Sequence, residues 1–163
     1  VGSVDQQVDL FFSSPIIFEN NNIIMCSALS TFSMSSIDGR LNWEIPLVSN
    51  ILPVVVNENI FVTSNNGFVS NVDKKTGKII WSKKIFSKIK KLTYEKTGDI
   101  TSILFLSNTL FLTTENGYFI FLDYKNGEIK NYLKVSKSFL TRPIVVDGNI
   151  IIIDSNTRIL KFD

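Results

Sequence analysis

The chain has 163 residues, of which 44% are hydrophobic and 20% charged, and its net charge is +2. This apolar content excludes a disordered chain, and the near-neutral charge argues against nucleic-acid binding, which requires many cations to neutralise phosphates. The chain contains no histidine and a single cysteine, Cys26, which excludes Ser–His–Asp catalysis, histidine-ligated metals and an internal disulfide.

Short apolar runs separated by polar turns follow one another along the chain. One series begins at Pro15 and reaches Trp43, and the next begins at Pro53. The runs are rich in Ile, Val, Phe and Leu, and the turns carry Asn and Gly, which tolerate the positive φ angles of tight hairpins. No apolar run approaches the ~20 residues of a membrane-spanning helix. We therefore predict an all-β chain without a transmembrane segment.

The pattern repeats with a regular spacing. A spacing of 38 residues separates three pairs of markers, namely Pro15 and Pro53, Gly39 and Gly77, and Trp43 and Trp81. The next unit begins 50 residues after Pro53, at Ile103, and the last begins 40 residues later, at Pro143. Four antiparallel strands repeated about every 40 residues are typical of β-propeller blades, in which neighbouring blades cover both apolar faces.

An insertion lengthens the second unit between residues 87 and 100. The stretch 83–96 comes closest to a helical spacing of apolar residues, so a short helix or a loop is expected there. We hypothesise that the insertion docks on an acidic partner surface through Lys88, Lys90, Lys91 and Tyr94. A solvated loop between blades is the alternative interpretation.

The repeat predicts about four blades. We expect residues 1–12 to be the outer strand of a preceding blade, 13–49 a blade, 50–100 a blade with the insertion 87–100, 101–138 a blade, and 139–163 an incomplete last blade. The first strand either completes the last blade of a closed four-bladed ring, or the chain is part of a propeller of about seven or eight blades. We favour the second arrangement, in which two exposed apolar faces promote self-association.

Residues 73–81 (DKKTGKIIW) resemble the repeat of the pyrroloquinoline-quinone (PQQ)-like propellers, in which Asp, Thr-Gly, Lys, two apolar residues and Trp follow in order. Residues 123–131 keep the Asp and Gly, and residues 35–43 keep the Gly and Trp. Asp can accept hydrogen bonds from turn amides, Gly supplies a positive φ angle, and Trp can pack across blade interfaces. The structural signature comprises Asp73, Gly77, Trp81, Gly39, Trp43, Asp123 and Gly127.

Within this family the sequence is most similar to the BamB-type lipoproteins of the bacterial outer-membrane protein assembly machinery. The resemblance implies a non-enzymatic, protein-binding scaffold in the periplasm, associated with the outer membrane and assisting assembly of β-barrel proteins. It implies no cofactor, metal or catalytic residue, and a lipid anchor would lie upstream of Val1. The alternatives are a fragment of a PQQ-dependent quinoprotein dehydrogenase and a luminal stress-sensor propeller fused to a kinase. The single cysteine excludes the cysteine ring that quinone-binding members often carry.

Overall fold

The computed structural model describes residues 13–64, 67–86 and 92–162. These residues contain fifteen β-strands in four antiparallel sheets and one short helix, α1 (Tyr94–Thr97). Strand order within each sheet follows the chain, so each sheet is a meander of consecutive hairpins. The all-β prediction is therefore confirmed, and we call the sheets blades 1 to 4.

The blades follow one another along the chain. Blade 1 consists of β1 (Ile17–Glu19), β2 (Asn22–Cys26), β3 (Thr31–Ser35) and β4 (Leu41–Ile45). Blade 2 consists of β5 (Val54–Val56), β6 (Asn59–Thr63), β7 (Phe68–Asp73) and β8 (Ile79–Lys84). Blade 3 consists of β9 (Ile100–Leu106), β10 (Thr109–Thr114), β11 (Tyr118–Asp123) and β12 (Ile129–Lys134). Blade 4 contains three described strands, β13 (Ile144–Val146), β14 (Asn149–Ile153) and β15 (Ile159–Phe162).

Tight turns with positive φ angles join the first two strands of the blades. Asn20 and Asn21 have φ angles of 48° and 60°, and Ser107 and Asn108 have φ angles of 45° and 60°. Such paired left-handed residues match the right-handed twist of a hairpin, and Asn adopts them more readily than most residues. This explains why a polar turn with Asn recurs near the start of the sequence units.

Three apolar clusters fill the three junctions between successive blades. Alternate residues of a strand face opposite sides of its sheet. In β10, for example, Leu110 and Leu112 pack toward blade 2, whereas Phe111 packs toward blade 4. Because both faces of an inner blade are buried at its second strand, β6 and β10 carry consecutive apolar residues rather than alternating ones.

The described blades form an open series. Strand β5 contacts β9, so the first strands of these blades converge, while β4, β8 and β12 lie at the opposite sheet edges. Phe18, on the side of blade 1 away from blade 2, is 65% exposed. Ile144 and Ile159, on the side of blade 4 away from blade 3, are 57% and 72% exposed. The strand predicted within residues 1–12 lies outside the described residues.

Candidate functional site

The signature aspartates lie in the turn between the third and fourth strands of a blade. Asp73 accepts hydrogen bonds from the backbone N–H and the hydroxyl of Thr76, at 2.8 and 2.6 Å. Asp123 accepts a hydrogen bond from the backbone N–H of Lys125 at 2.8 Å. These bonds, led by the Thr76 hydroxyl for Asp73 and by the Lys125 amide for Asp123, hold the pKa of each carboxyl below its ordinary value. Both carboxylates thus stabilise the turn in which they lie.

Each signature tryptophan lies against the corresponding turn of the next blade. The indole N–H of Trp43 donates to the carbonyl oxygen of the residue after the blade 2 aspartate at 2.9 Å, and Trp81 makes the equivalent bond to blade 3 at 3.2 Å. The glycine of that turn lies under the ring. A Cβ atom on Gly77 would be 2.7 Å from Trp43, and one on Gly127 would be 2.6 Å from Trp81. The structure therefore brings these four residues together in two pairs, each across a blade junction.

The tryptophan–glycine contact is absent at both ends of the described series of blades. Gly39 has a φ angle of 70°, yet a Cβ atom there would meet only Met34 of the described residues, at 3.9 Å. In blade 3, Asn131 occupies the position of the tryptophan, and its Oδ1 atom accepts a hydrogen bond from the Tyr132 N–H at 2.8 Å. The tryptophan–glycine contact therefore occurs at the junction of blades 1 and 2 and at that of blades 2 and 3, which we call the 1–2 junction and the 2–3 junction.

Four aromatic rings fill the 2–3 junction. Phe61 is fully buried, and its ring stacks on Phe105 with centroids 6.2 Å apart and planes 7° apart. Phe61 also contacts Trp81 at 6.1 Å, and Phe105 meets Tyr124 edge-on at 5.5 Å. Such aromatic pairs add favourable contact energy beyond the burial of their area. The junction is therefore closely packed.

Smaller or charged residues replace three of these aromatic residues in the 1–2 junction, where the positions of Phe61, Phe105 and Tyr124 hold Ile24, Val55 and Lys74. Ile24 pairs with the first residue of β1 just as Phe61 pairs with the first residue of β5. Lys74 follows its signature aspartate as Tyr124 does, but it extends to form an ion pair with Glu19 at 3.3 Å. A cavity of about 440 Å³ lies between the β1–β2 turn, the start of β4 and the turn after β7.

Part of the predicted docking loop is described. Lys88, Lys90 and Lys91 lie outside the described residues. Tyr94 begins helix α1, is 47% exposed and donates a hydrogen bond from its hydroxyl to Asp99 Oδ1 at 2.8 Å, which raises the pKa of Tyr94. The short helix allowed by the sequence is therefore present at residues 94–97, and its Tyr94 hydroxyl is bonded within the insertion.

A buried ionic cluster is centred on Asp154, a residue that the sequence analysis did not single out. Its carboxylate is fully buried and accepts hydrogen bonds from Arg158 Nη2 at 2.6 Å, from Arg158 Nε at 3.0 Å and from the Ser136 hydroxyl at 3.1 Å. The Arg158 guanidinium is the main cause that lowers the pKa of Asp154 to about 2. Asp154 follows the second strand of its blade as Ser27 does in blade 1 and Ser64 in blade 2, so the repeat marks this position but does not indicate its burial.

The described residues offer neither a metal-binding cluster nor a membrane-spanning helix. No three His, Cys, Asp or Glu side chains in ranges 13–64, 67–86 and 92–162 are grouped so that they could hold a metal ion. Within the same ranges, no helix has the length and apolar character needed to cross a membrane.

A family model described as outer membrane protein assembly factor BamB matches residues 6–163. The chain belongs to this family. The outer membrane protein assembly factor BamB of Moranella endobia (strain PCIT) is 28% identical to it over 168 residues, covering 93% of this chain and 40% of the relative. The chain therefore spans about two fifths of the length of this curated relative.

Several solved structures, one of them a β-propeller domain, are also similar to the chain. BamB from Moraxella catarrhalis aligns with 92% of this chain and 42% of its own, with a TM-score of 0.74 and 12% identity. The WD40 β-propeller domain of Doa1 aligns with 93% of this chain and 49% of its own, with a TM-score of 0.65 and 18% identity. A europium-containing methanol dehydrogenase aligns with 74% of this chain and 24% of its own, with a TM-score of 0.59 and 15% identity. These likenesses show the fold alone, and they confirm the predicted β-propeller.

Proposed function

We propose that the chain is part of a non-enzymatic, protein-binding scaffold of the bacterial cell envelope that assists the assembly of outer-membrane β-barrel proteins. The observation that carries this proposal is the family match over residues 6–163, supported by the similarity to the BamB of Moranella endobia. We assign the protein to the periplasm, at the outer membrane. Its proposed partners are proteins of the assembly machinery, and no nucleic-acid partner is proposed. The blade division 13–49, 50–100, 101–138 and 139–163 is part of the same proposal.

A complementation experiment tests this function. The chain is expressed with a signal sequence for export in a bacterium that lacks its own BamB. The amounts of outer-membrane β-barrel proteins are then measured by quantitative immunoblot. We expect a partial restoration of these amounts, together with co-purification of the membrane-embedded assembly component. A folded, exported chain that changes neither quantity would contradict the proposal.

We further propose that the insertion between blades 2 and 3 contacts the partner. Tyr94 is half exposed, whereas Leu92 beside it is fully buried and anchors the insertion in the cluster of the 2–3 junction. A deletion would therefore damage the core, and substitutions are the better test. Replacing Lys88, Lys90 and Lys91 with Gln should weaken partner capture and reduce its dependence on salt, since exposed charges chiefly raise association rates.

A charge-matched control separates this loop from net charge. Lys83, Lys137 and Lys161 are exposed on other parts of the chain, and their triple replacement by Gln removes the same charge. Equal loss of capture by both triple variants, or no loss by either, would refute the docking loop while leaving the scaffold function intact.

The dehydrogenase alternative has a direct test. The full chain is titrated with pyrroloquinoline quinone and Ca²⁺, and binding is followed by quinone absorbance and by dye-linked alcohol oxidation. We expect neither binding nor oxidation from a scaffold. Saturable quinone binding would favour the alternative, and the similarity in fold to a methanol dehydrogenase does not decide between the two.

We also propose that the chain self-associates, with a second copy covering the exposed faces of its terminal blades. Each of the three internal junctions joins one side of a blade to the opposite side of the next. The exposed side of blade 1, with Phe18, and that of blade 4, with Ile159, are again opposite sides of this kind. A head-to-tail contact between two copies would therefore continue the internal packing.

Light scattering of mixed variants tests this arrangement. Phe18→Asp and Ile159→Asp each damage one face, and both variants should be monomeric because every contact needs both faces. Mixing them should restore association, since one undamaged face remains on each. The exposed turn variant Ile37→Asp is the control and should associate like the unmodified chain. A clean monomer without substitutions, or variants that the mixture does not rescue, would contradict the head-to-tail contact.

A further inference from the structure

The cavity of the 1–2 junction has features of a small-molecule site. Its volume of about 440 Å³ lies within the range of about 300–1,000 Å³ that is typical of ligand pockets. Ile24 and Lys74, which line it, take the positions that the aromatic residues Phe61 and Tyr124 hold in the 2–3 junction. Nothing in the proposed scaffold function uses this space.

One wall of the cavity is apolar. Ile24 and Trp43 line it and are 1% and 8% exposed. The indole N–H of Trp43 is already bonded to the carbonyl oxygen of Lys74, so the ring presents its apolar surface rather than a donor. This wall suits the hydrocarbon part of a ligand.

The rim of the cavity carries excess positive charge. Three cations line it, Arg40, Lys74 and Lys75, together with one acid, Glu19. Glu19 is paired with Lys74 at 3.3 Å. Arg40 and Lys75 form no ion pair with any residue in the part of the chain that the structure describes. Two cationic groups are therefore available to an anion inside the cavity.

The carboxylates next to these cations form hydrogen bonds within their own turns. Asp38 Oδ1 accepts a hydrogen bond from the Arg40 backbone N–H at 3.2 Å, and Asp73 Oδ1 is bonded to Thr76. Each carboxylate feels the charge of the nearby cation, but neither lines the cavity. Asp38 and Asp73 thus weaken the positive potential near the cavity but do not line it.

We propose that the cavity binds a carboxylate with a short hydrocarbon body, held by Arg40 and Lys75 and packed against Trp43. Charge-assisted bonds from guanidinium and ammonium groups to a carboxylate are the stronger class of hydrogen bond, and the apolar wall adds burial. The same chemistry is supplied by a free small acid and by a glutamate side chain of a bound protein. The site does not depend on the scaffold function, because free acid suffices to fill it.

Nuclear magnetic resonance of the ¹⁵N-labelled full chain tests the site, because its two tryptophans give two indole signals. Glutarate and the peptide acetyl-Glu-Phe-Glu-amide are titrated in separate arms. Each carboxylate should shift the Trp43 signal in a saturable manner and leave the Trp81 signal unmoved. Tighter binding of glutarate indicates a free acid as the natural source, whereas tighter binding of the peptide indicates a partner protein.

Variants identify the residues that hold the carboxylate. Arg40→Gln combined with Lys75→Gln should weaken binding about tenfold or more. Lys125→Gln is the matched control, because Lys125 occupies the position of Lys75 in the blade 3 turn, and it should leave binding unchanged. Ile24→Phe should weaken binding, because its ring projects into part of the cavity.

Three results would overturn the proposal. The first is the absence of a saturable shift of Trp43 with either probe. The second is an equal shift of both indole signals, which indicates nonspecific binding. The third is a shift that survives in the Arg40→Gln, Lys75→Gln double variant. None of these results bears on complementation or partner capture, so failure of this site is distinguishable from failure of the scaffold function.

Discussion

In both the 1–2 and the 2–3 junction, a tryptophan covers a glycine of the next blade and donates to the carbonyl oxygen of the residue after that blade's signature aspartate, yet the two junctions are filled differently. The 2–3 junction packs Phe61, Phe105 and Tyr124 together, whereas the 1–2 junction leaves a cavity of about 440 Å³. The backbone-directed contacts therefore set how one blade meets the next. The side chains behind them are free to vary, and they decide whether a junction is only structural or has room for a ligand.

The largest effect should come from emptying the packed junction. Phe61→Ala removes a fully buried ring in contact with two other aromatic residues, and we expect it to lower the free energy of unfolding by about 3–5 kcal/mol. The corresponding variant of the 1–2 junction, Ile24→Ala, should cost about 2 kcal/mol, because Ile24 already borders a cavity. Urea unfolding followed by tryptophan fluorescence measures both. Equal losses would mean that the two junctions are equally packed.

The glycines under the tryptophans should give the next largest effect. Gly77→Ala and Gly127→Ala place a Cβ atom 2.7 and 2.6 Å from an indole ring and keep a φ angle near +70°. Each should cost about 2–4 kcal/mol, combining backbone strain with overpacking. Gly39→Ala is the control, because it has the same φ angle and its new Cβ atom would meet only Met34 of the described residues, at 3.9 Å. It should cost about 1 kcal/mol, and equal losses in all three variants would show that the tryptophan contact contributes nothing.

The repeat in the sequence predicted the blades because it depends on local chemistry. Each hairpin is specified by its own short apolar runs and by a turn rich in Asn and Gly. The common spacing of 38 residues then gives the length of one unit. The sequence predicted that the tryptophans pack across blade interfaces. In the structure, each ring contacts the signature glycine of the following blade. That specific partner depends on how far one sheet turns relative to the next, which no local pattern encodes.

The cavity and the buried ionic cluster could not be predicted in the same way. The cavity is lined by Ile24, Trp43 and Lys74, which come together only when blade 1 packs on blade 2. Asp154 resembles any turn aspartate in sequence, and its burial arises because Arg158 folds over it and Ser136 approaches from the preceding connection. Both features depend on contacts between distant or unmatched parts of the repeat.

The ionic cluster provides a test at the junction of blades 3 and 4. The folded pKa of Asp154 is about 2, below the ordinary value of 3.8, so its ionised form stabilises the fold above about pH 4 and this contribution is lost as the pH falls toward 2. Asp154→Asn should lower stability at neutral pH and flatten the pH dependence between 4 and 2, measured by thermal unfolding. Asp147→Asn is the control, because the Asp147 carboxylate forms no hydrogen bond with any described residue. An unchanged acid slope in Asp154→Asn would contradict the assignment.

The smallest effect should come from filling the cavity rather than emptying a core. Ile24→Phe gives the 1–2 junction the ring that Phe61 supplies to the 2–3 junction, and the space is already present, so stability should change by less than about 1 kcal/mol. Ile60→Phe is the matched control, because Ile60 belongs to the same cluster, is fully buried and does not line the cavity. Overpacking there should cost about 1–3 kcal/mol. If both variants lose the same stability in urea, the 1–2 junction has no usable space, and the contrast between the two junctions lies only in the identity of their side chains.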